Sequence, residues 1–461
     1  MLPVRESDAK GDRVVEQPAT TLEMPRWLGN IWVIPAALRQ GALLFVASCL
    51  AGALNYLYHI ILGRMLGPAD YGVFSSLVAL LLVFSVPASA VQTVVAHYTS
   101  SFQAQGHTGG TRALVGSALK RVLFYAAIGT IAIMLASPII ASFLHIGSVT
   151  PVLVLGIVFI PWLLSPVANG ALQGLQRFNY LGVNMTLGAL GRILVGVVLV
   201  SAGLGVSGAL GGSFASCAVM LLYGLIPLAF LFKEHDAHEI NMREIYSYSW
   251  RVLLGYASFA ILTNTDVILV KHFFAPTEAG YYSAAAAFGK MVLFLPGAIA
   301  VVMFPKSSHL YAVGKDAAAI LKKSLLCVIA LCVPVVIAYF MAPNFLVGLL
   351  FGEAYSATVP LVGPLGLAMG LYALGNVLLL YYLSVHSVAF LRVIPASALI
   401  QVISLAIFHQ TLMQVVVVMM INGLLVLALS EIFCRGLTGR SPLNTCSVNQ
   451  IVPAKSQDSQ N

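Results

Sequence analysis

Charge is what this sequence has least of. Only 9% of the 461 residues are charged, against roughly 25% in ordinary soluble domains. So few charges cannot clothe a water-soluble surface. Acids are scarcer than bases, 16 against 24, for a net charge of +8. No GxxxxGK[ST] sequence is present, so ATP binding through a P-loop is excluded. The six cysteines show no metal-ligand spacing; Cys49, Cys217, Cys327, Cys332 and Cys434 lie in or beside apolar runs and read as small core residues. The loop Glu234–Glu239 holds two histidines and three acids, but that composition reads as a solvated loop before it reads as a metal site. No cofactor motif emerges. Met1–Gly29 is polar and reads as a cytosolic tail rather than a signal peptide.

What is there is hydrophobic length. Ala42–Ile61, Val73–Val95, Val122–Leu144 and Phe214–Phe232 each reach or approach the roughly 20 residues that cross a hydrocarbon core as a helix. In lipid every backbone N–H and C=O must be paired within the protein, so such runs become helices. They do not alternate in polarity, which excludes an outer-membrane barrel. The reading is an all-α integral membrane protein with about twelve transmembrane helices, near 38–62, 73–97, 120–144, 150–170, 180–203, 207–232, 249–272, 282–304, 320–343, 359–384, 388–408 and 411–434. Pro87, Pro161, Pro166, Pro296 and Pro334 fall inside these runs and should bend them.

Basic residues sit on alternate connections. One side holds Arg5, Lys10, Arg13, Arg26 and Arg39, then Arg112, Lys120 and Arg121, Arg177, Lys233, Arg243 and Arg251, Lys306, Lys315, Lys322 and Lys323, Arg392, and Arg435, Arg440 and Lys455. The other side has only Arg64 and Lys271 at helix ends. The positive-inside rule then places both termini in the cytosol, and it accounts for the basic balance without any nucleic acid.

The chain also repeats itself. Leu62–Ser75 (LGRMLGPADYGVFS) is echoed by Leu269–Ser283 (LVKHFFAPTEAGYYS). Pro68 pairs with Pro276, Asp70 with Glu278, Gly72 with Gly280, Phe74 with Tyr282 and Ser75 with Ser283; one residue of slip brings Arg64 onto Lys271. Each copy joins the first two spans of a six-span half. Six is even, so the halves enter the membrane the same way round, as two parallel six-helix bundles with a cleft between them that rocking opens to each side in turn. The expected division is a tail at 1–36, a bundle at 37–232, a linker at 233–248, a second bundle at 249–434 and a tail at 435–461. The second copy has Phe273–Pro276 where the first has Leu66-Gly-Pro68, so its turn should differ.

Few charges lie inside the spans. Asp266, Arg192 and Lys290 do, and Arg64 and Lys271 lie near the outer ends of spans one and seven. A charge at mid-bilayer costs at least about 2.5–3.5 kcal/mol, so it faces a cavity or a partner. These five are the candidate lumen residues. The cations outnumber the acid that could neutralise them, and a wet cationic cleft suits an anionic group such as a phosphate. Snorkelling is the competing account of Arg192 and Lys290, and a structural ion pair with Lys271 or Lys290 that of Asp266. Asn55, Asn169, Asn184, Asn264 and Asn376 read as interhelical hydrogen-bonders, and Gly170–Gly174, Gly208–Gly212 and Gly366–Gly370 as close helix contacts.

Leu62–Phe74, Gly170–Phe178 (GALQGLQRF) and the stretch from Asp266 to Ala284 resemble the Wzx-type polysaccharide flippases of the MATE/MOP superfamily. The resemblance runs over roughly 38–434. It implies a V-shaped pair of bundles in a bacterial inner membrane. It implies transfer of undecaprenyl-pyrophosphate-linked oligosaccharide from the cytosolic to the periplasmic leaflet, for O-antigen or exopolysaccharide synthesis. The partners it implies are that lipid-linked substrate, membrane lipids, a polysaccharide polymerase and export machinery, and a coupling ion, proton or sodium. It marks Arg64, Arg192, Asp266, Lys271 and Lys290 as the lumen positions to watch. A MATE-like ion-coupled exporter of small molecules has the same fold, but its cleft should hold several carboxylates. A membrane-embedded polymerase or ligase would need a large outside loop, and the longest here, near 344–358, offers only Glu353.

Overall fold

The computed structural model describes residues 36–104, 108–232, 242–385 apart from fifteen positions scattered over 298–316, and 390–434. All regular structure among these residues is helical. Met1–Gly29, the loop Glu234–Glu239, Lys306, Lys315 and the C-terminal tail lie outside the described residues, as do the side chains of Arg39 and Arg251.

Among the described residues, eight helices are long and apolar enough to cross a membrane. The helices in order are α1 (Ala36–Phe84), α2 (Val86–Ala104), α3 (Thr108–Leu135), α4 (Ser137–Phe143), α5 (Thr150–Gly174), α6 (Phe178–Leu199), α7 (Gly205–Leu225), α8 (Met242–Phe273), α9 (Pro276–Phe294), α10 (Ala318–Met341), α11 (Pro343–Leu350), α12 (Val359–Ser384), α13 (Phe390–Ile407) and α14 (Leu412–Cys434). Two of the eight long segments fold back on themselves. α1 turns at Gly67, whose φ of 72° suits a residue without a Cβ. The His59 ring then meets Tyr71 and Phe74 across the turn, as in an antiparallel pair. The second reversal, between α6 and α7, uses Gly203 and Gly205, both at positive φ. These reversals fall at expected span boundaries, so the expected order of passes is kept. The count of twelve includes α9 and α13, which are not among the eight.

Some expectations are corrected. Span three is placed at 108–135 instead of 120–144, because Ser137–Pro138 starts the separate short helix α4. Arg112, Lys120 and Arg121 are therefore in a helix, not in a connection. Pro161, Pro166 and Pro334 lie inside α5 and α10 without ending them. The two corner turns do differ: Ala275 is extended (φ −58°, ψ 151°), where Gly67 is left-handed.

Small residues set the packing. A Cβ at Gly170 would lie 2.6 Å from the Gln92 carbonyl oxygen, and one at Gly174 2.6 Å from that of Ala96, so α5 lies directly on α2. A Cβ at Gly212 would lie 2.7 Å from the Gly196 Cα, so α7 lies as directly on α6. Asn184 donates from Nδ2 to Asn169 Oδ1 at 2.7 Å, a buried interhelical bond between α6 and α5. Large apolar side chains cover the outside: Met341 is 81% exposed, Leu135 77% and Ile139 73%. In water such a surface would aggregate; against lipid tails it is solvated.

The two copies of the repeat meet. α9 packs on α1, and a Cβ at Gly72 would be 2.9 Å from the Gly280 backbone nitrogen. A Cβ at Gly280 would overlap the Pro68 carbonyl. The matched glycines are thus one place where the two copies touch. Phe351, at the end of α11, sits over Gly63 and is ringed by Tyr71, Phe288 and Tyr355 at centroid distances of 5.2–5.6 Å. Tyr355 donates to the Gly63 carbonyl at 2.8 Å. This corner end of the molecule is closed by a dry aromatic plug.

Candidate functional site

The site is built on the first span of each half. In α1, Asn55 donates from Nδ2 to the Ala51 carbonyl one turn back, at 2.9 Å. That leaves Oδ1 free to accept from Arg192 Nη1 of α6 at 3.1 Å. The guanidinium also lies over the Tyr58 ring, 4.8 Å from its centroid, a favourable cation–π placement. Tyr58 is held in turn by its hydroxyl, which donates to the Ala209 carbonyl. Arg192 Nε and Nη2 are buried and have no hydrogen-bond partner among the described residues.

The second half repeats the device. In α8, Asn264 donates from Nδ2 to the Ala260 carbonyl at 2.9 Å, and its Oδ1 accepts from Lys290 Nζ of α9 at 2.8 Å. So Arg192 and Lys290 are each held by an amide oxygen instead of a carboxylate. A neutral partner satisfies the donor but leaves the positive charge in place.

Asp266, two residues further along α8, is fully buried. Its Oδ2 accepts from Tyr282 Oη at 2.9 Å, while Oδ1 has no partner among the described residues. Behind it, Tyr372 donates to Gln401 Oε1 at 2.7 Å, and Gln401 donates from Nε2 to the Leu262 carbonyl at 2.9 Å. Asp266 and Lys290 interact electrostatically, but each has a different hydrogen-bond partner.

His59 was not among the candidates from sequence. It stands within electrostatic reach of both Arg192 and Lys290, and its Nδ1 is 3.2 Å from Tyr71 Oη. It is half-buried. The repeat carries the signal that could have found it. Ahead of the slip the copies are offset by 207 positions, Arg64 onto Lys271, and the same offset sets His59 opposite Asp266. Their neighbours Phe74 and Tyr282, matched in the repeat, touch them in turn: Phe74 by its ring, at a centroid distance of 5.6 Å from His59, and Tyr282 by its hydroxyl.

The structure brings Arg192 and Lys290 within electrostatic reach of His59, sets Asp266 within reach of Lys290, and leaves Arg64 and Lys271 elsewhere. Lys271 is buried near Asp70 at the corner end. Arg64 is exposed there and donates to the carbonyls of Leu349 and Leu350. A surface depression of about 340 Å³ lined by Phe274, Glu278 and Thr411 lies at that end too, apart from the amide-held cations.

Comparison with solved structures shows the fold. An inward-facing multidrug resistance MATE family transporter of the MOP superfamily superposes with a TM-score of 0.67 at 16% identity, covering 84% of this chain and 96% of that one. The lipid II flippase MurJ in an inward closed conformation gives 0.68 at 11% identity, covering 86% and 87%. A MOP superfamily transporter from Pyrococcus furiosus, described as having a binding pocket of reversed polarity, gives 0.60 at 17% identity, covering 87% and 96%. No curated protein matches the sequence. The family model described as polysaccharide biosynthesis protein matches residues 61–360, a stretch that holds both corner motifs, Arg192, Asp266 and Lys290, and the chain belongs to that family.

Proposed function

We propose that the protein is a flippase that moves undecaprenyl-pyrophosphate-linked oligosaccharide repeat units from the cytosolic to the periplasmic leaflet of a bacterial inner membrane. Both termini are cytosolic in this reading, and the halves 37–232 and 249–434 rock about the repeat contact to give alternating access. The observation that carries it is the pair of amide-held cations. Arg192 and Lys290 keep their charge uncompensated by hydrogen-bonded carboxylates, and a desolvated positive site recruits a multiply charged anion such as pyrophosphate. The family assignment supplies the pathway class. An exporter of organic cations would need acids open to the cleft, and the acid nearest the cations, Asp266, is fully buried and bonded to Tyr282. The lipid tail stays in the bilayer while the sugar head crosses. A proton or sodium ion drives the cycle in this reading, and a polymerase and export machinery take the product.

The test is a deletion strain in which lipid-linked oligosaccharide is assayed on each leaflet with a membrane-impermeant glycosidase. The expected result is intact intermediate held on the cytosolic side, with surface polymer lost and restored by the plasmid-borne gene. Normal leaflet distribution and normal polymer would remove the proposal.

A further inference from the structure

The corner end carries a second pair of matched contacts, independent of the cation pair. At the end of the first pass, Arg64 donates from Nε to the Leu350 carbonyl at 2.9 Å and from Nη2 to that of Leu349. Those carbonyls belong to the last turn of α11, in the opposite half. At the end of α8, the His272 ring nitrogen Nδ1 lies 2.7 Å from the Phe143 carbonyl. A carbonyl can only accept, so Nδ1 carries the proton. Phe143 is the last residue of α4, again in the opposite half. Its ring stacks on His272 at a centroid distance of 4.1 Å and an interplanar angle of 8°.

The two contacts fall at neighbouring places of the internal repeat: Arg64 is matched to Lys271, the residue before His272, and Phe143 and Leu350 stand 207 positions apart, the offset of that match. α4 and α11 are both short and both carry a proline in their first turn, and each follows the third span of its half. Helix ends leave carbonyls without intrahelical partners. The backbone bonds around α4 use the carbonyls of Ile140, Ala141 and Ser142, and those around the end of α11 use Val347. The Phe143, Leu349 and Leu350 oxygens are the ones the opposite half takes.

We propose that these are two reciprocal latches that hold the corner face shut, each half closing on the terminal carbonyls of the other half's short helix, and that both must release for the molecule to open on this face. The proposal rests on the alternating-access reading for its role in a cycle. The seam between the latches is the Gly72–Gly280 contact and the Phe351 plug, which supply shape and apolar burial. The latches supply the polar bonds that water can replace, so they are the part that can break and re-form without exposing a buried unpaired group. One latch is permanently charged and the other is not, so the two should differ in strength. His145 lies beside His272 at a centroid distance of 5.5 Å, Lys271 precedes it, and His409 stacks on the neighbouring Phe273.

The test uses the full-length protein with its native cysteines replaced, spin-labelled at Ser148 and Thr277, which are exposed on the two halves at this end. Double electron–electron resonance then reads the closed and open populations. Arg64→Met keeps the length of the side chain and removes its donors; it should raise the open fraction roughly tenfold. His272→Phe keeps the ring stack and removes the donor; it should raise it roughly threefold. Arg64→Lys, which keeps the charge but only a single donor nitrogen, carries the same test at smaller amplitude if Arg64→Met does not fold. Unchanged distances in either latch variant overturn the paired latches. The readout needs no substrate: unchanged distances with intact leaflet transfer remove the latches alone, and widened distances in a chain that transfers no lipid-linked sugar remove the transport reading alone.

Discussion

Gly280→Ala should cut surface-polymer export at least tenfold and lower the thermal midpoint of the purified protein, while Gly52→Ala leaves both unchanged. The difference is in what the new methyl group meets. At Gly280 it would overlap the Pro68 carbonyl, with the Pro68 Cα 2.8 Å away. These are backbone atoms in the opposite half, and no rotamer change can clear them, so the helices must separate. Overpacking of this kind costs about 1–3 kcal/mol or more. Here it acts where the two halves touch, so it should also widen the seam that Phe351 plugs. Gly72→Ala should behave alike, since its Cβ would lie 2.9 Å from the Gly280 nitrogen. Gly52 has nothing within 4 Å, and alanine there even favours the helix by about 1 kcal/mol. Export and differential scanning of the two variants side by side decide the matter. A Gly280→Ala protein as stable and active as Gly52→Ala would show that the repeats do not meet as described.

The second large effect concerns charge without shape. Asn55→Asp should reduce leaflet transfer as severely as Arg192→Ala, by roughly tenfold or more. The substitution keeps the size of the side chain and an oxygen for Arg192 to bond, but it turns an amide-held cation into a neutral ion pair. The stronger bond to Arg192 offsets the lost Nδ2 bond to the Ala51 carbonyl, so the variant should express about as well as the parent. Asn264→Asp should do the same to Lys290. Loss of activity with retained expression would single out the uncompensated positive charge as the working feature. If Asn55→Asp transfers normally while Arg192→Ala fails, Arg192 acts through packing on Tyr58, and the anion-recruiting role falls. The leaflet assay on equal amounts of membrane-inserted protein makes the comparison.

Much of the architecture was legible from the sequence, for reasons tied to particular residues. Apolar runs such as Phe214–Phe232 become helices because lipid leaves the backbone no other partner, so membrane class and helical content follow from local composition. Gly67-Pro68 marks a corner because a left-handed glycine followed by a proline is a local turn. The Gly170–Gly174 and Gly208–Gly212 spacings announce close contacts because only small residues allow them. The match of Gly72 to Gly280 marked the repeat, but nothing local says that the two glycines touch.

Which charges meet was decided by the tertiary structure. Arg192 finds Asn55 across 137 residues, and Arg64 leaves the cleft for carbonyls 285 and 286 residues away. His59 stands among the cations only because α1, α6 and α9 are set at particular rotations about their own axes. Those rotations come from contacts such as Gly196 on Gly212 and Pro68 on Gly280, which are long-range and cooperative. A hydropathy run determines that a helix forms and roughly where it ends; it carries almost no information on which face of that helix turns inward. In a chain whose spans are apolar on every side, that choice belongs to the packing of the helices.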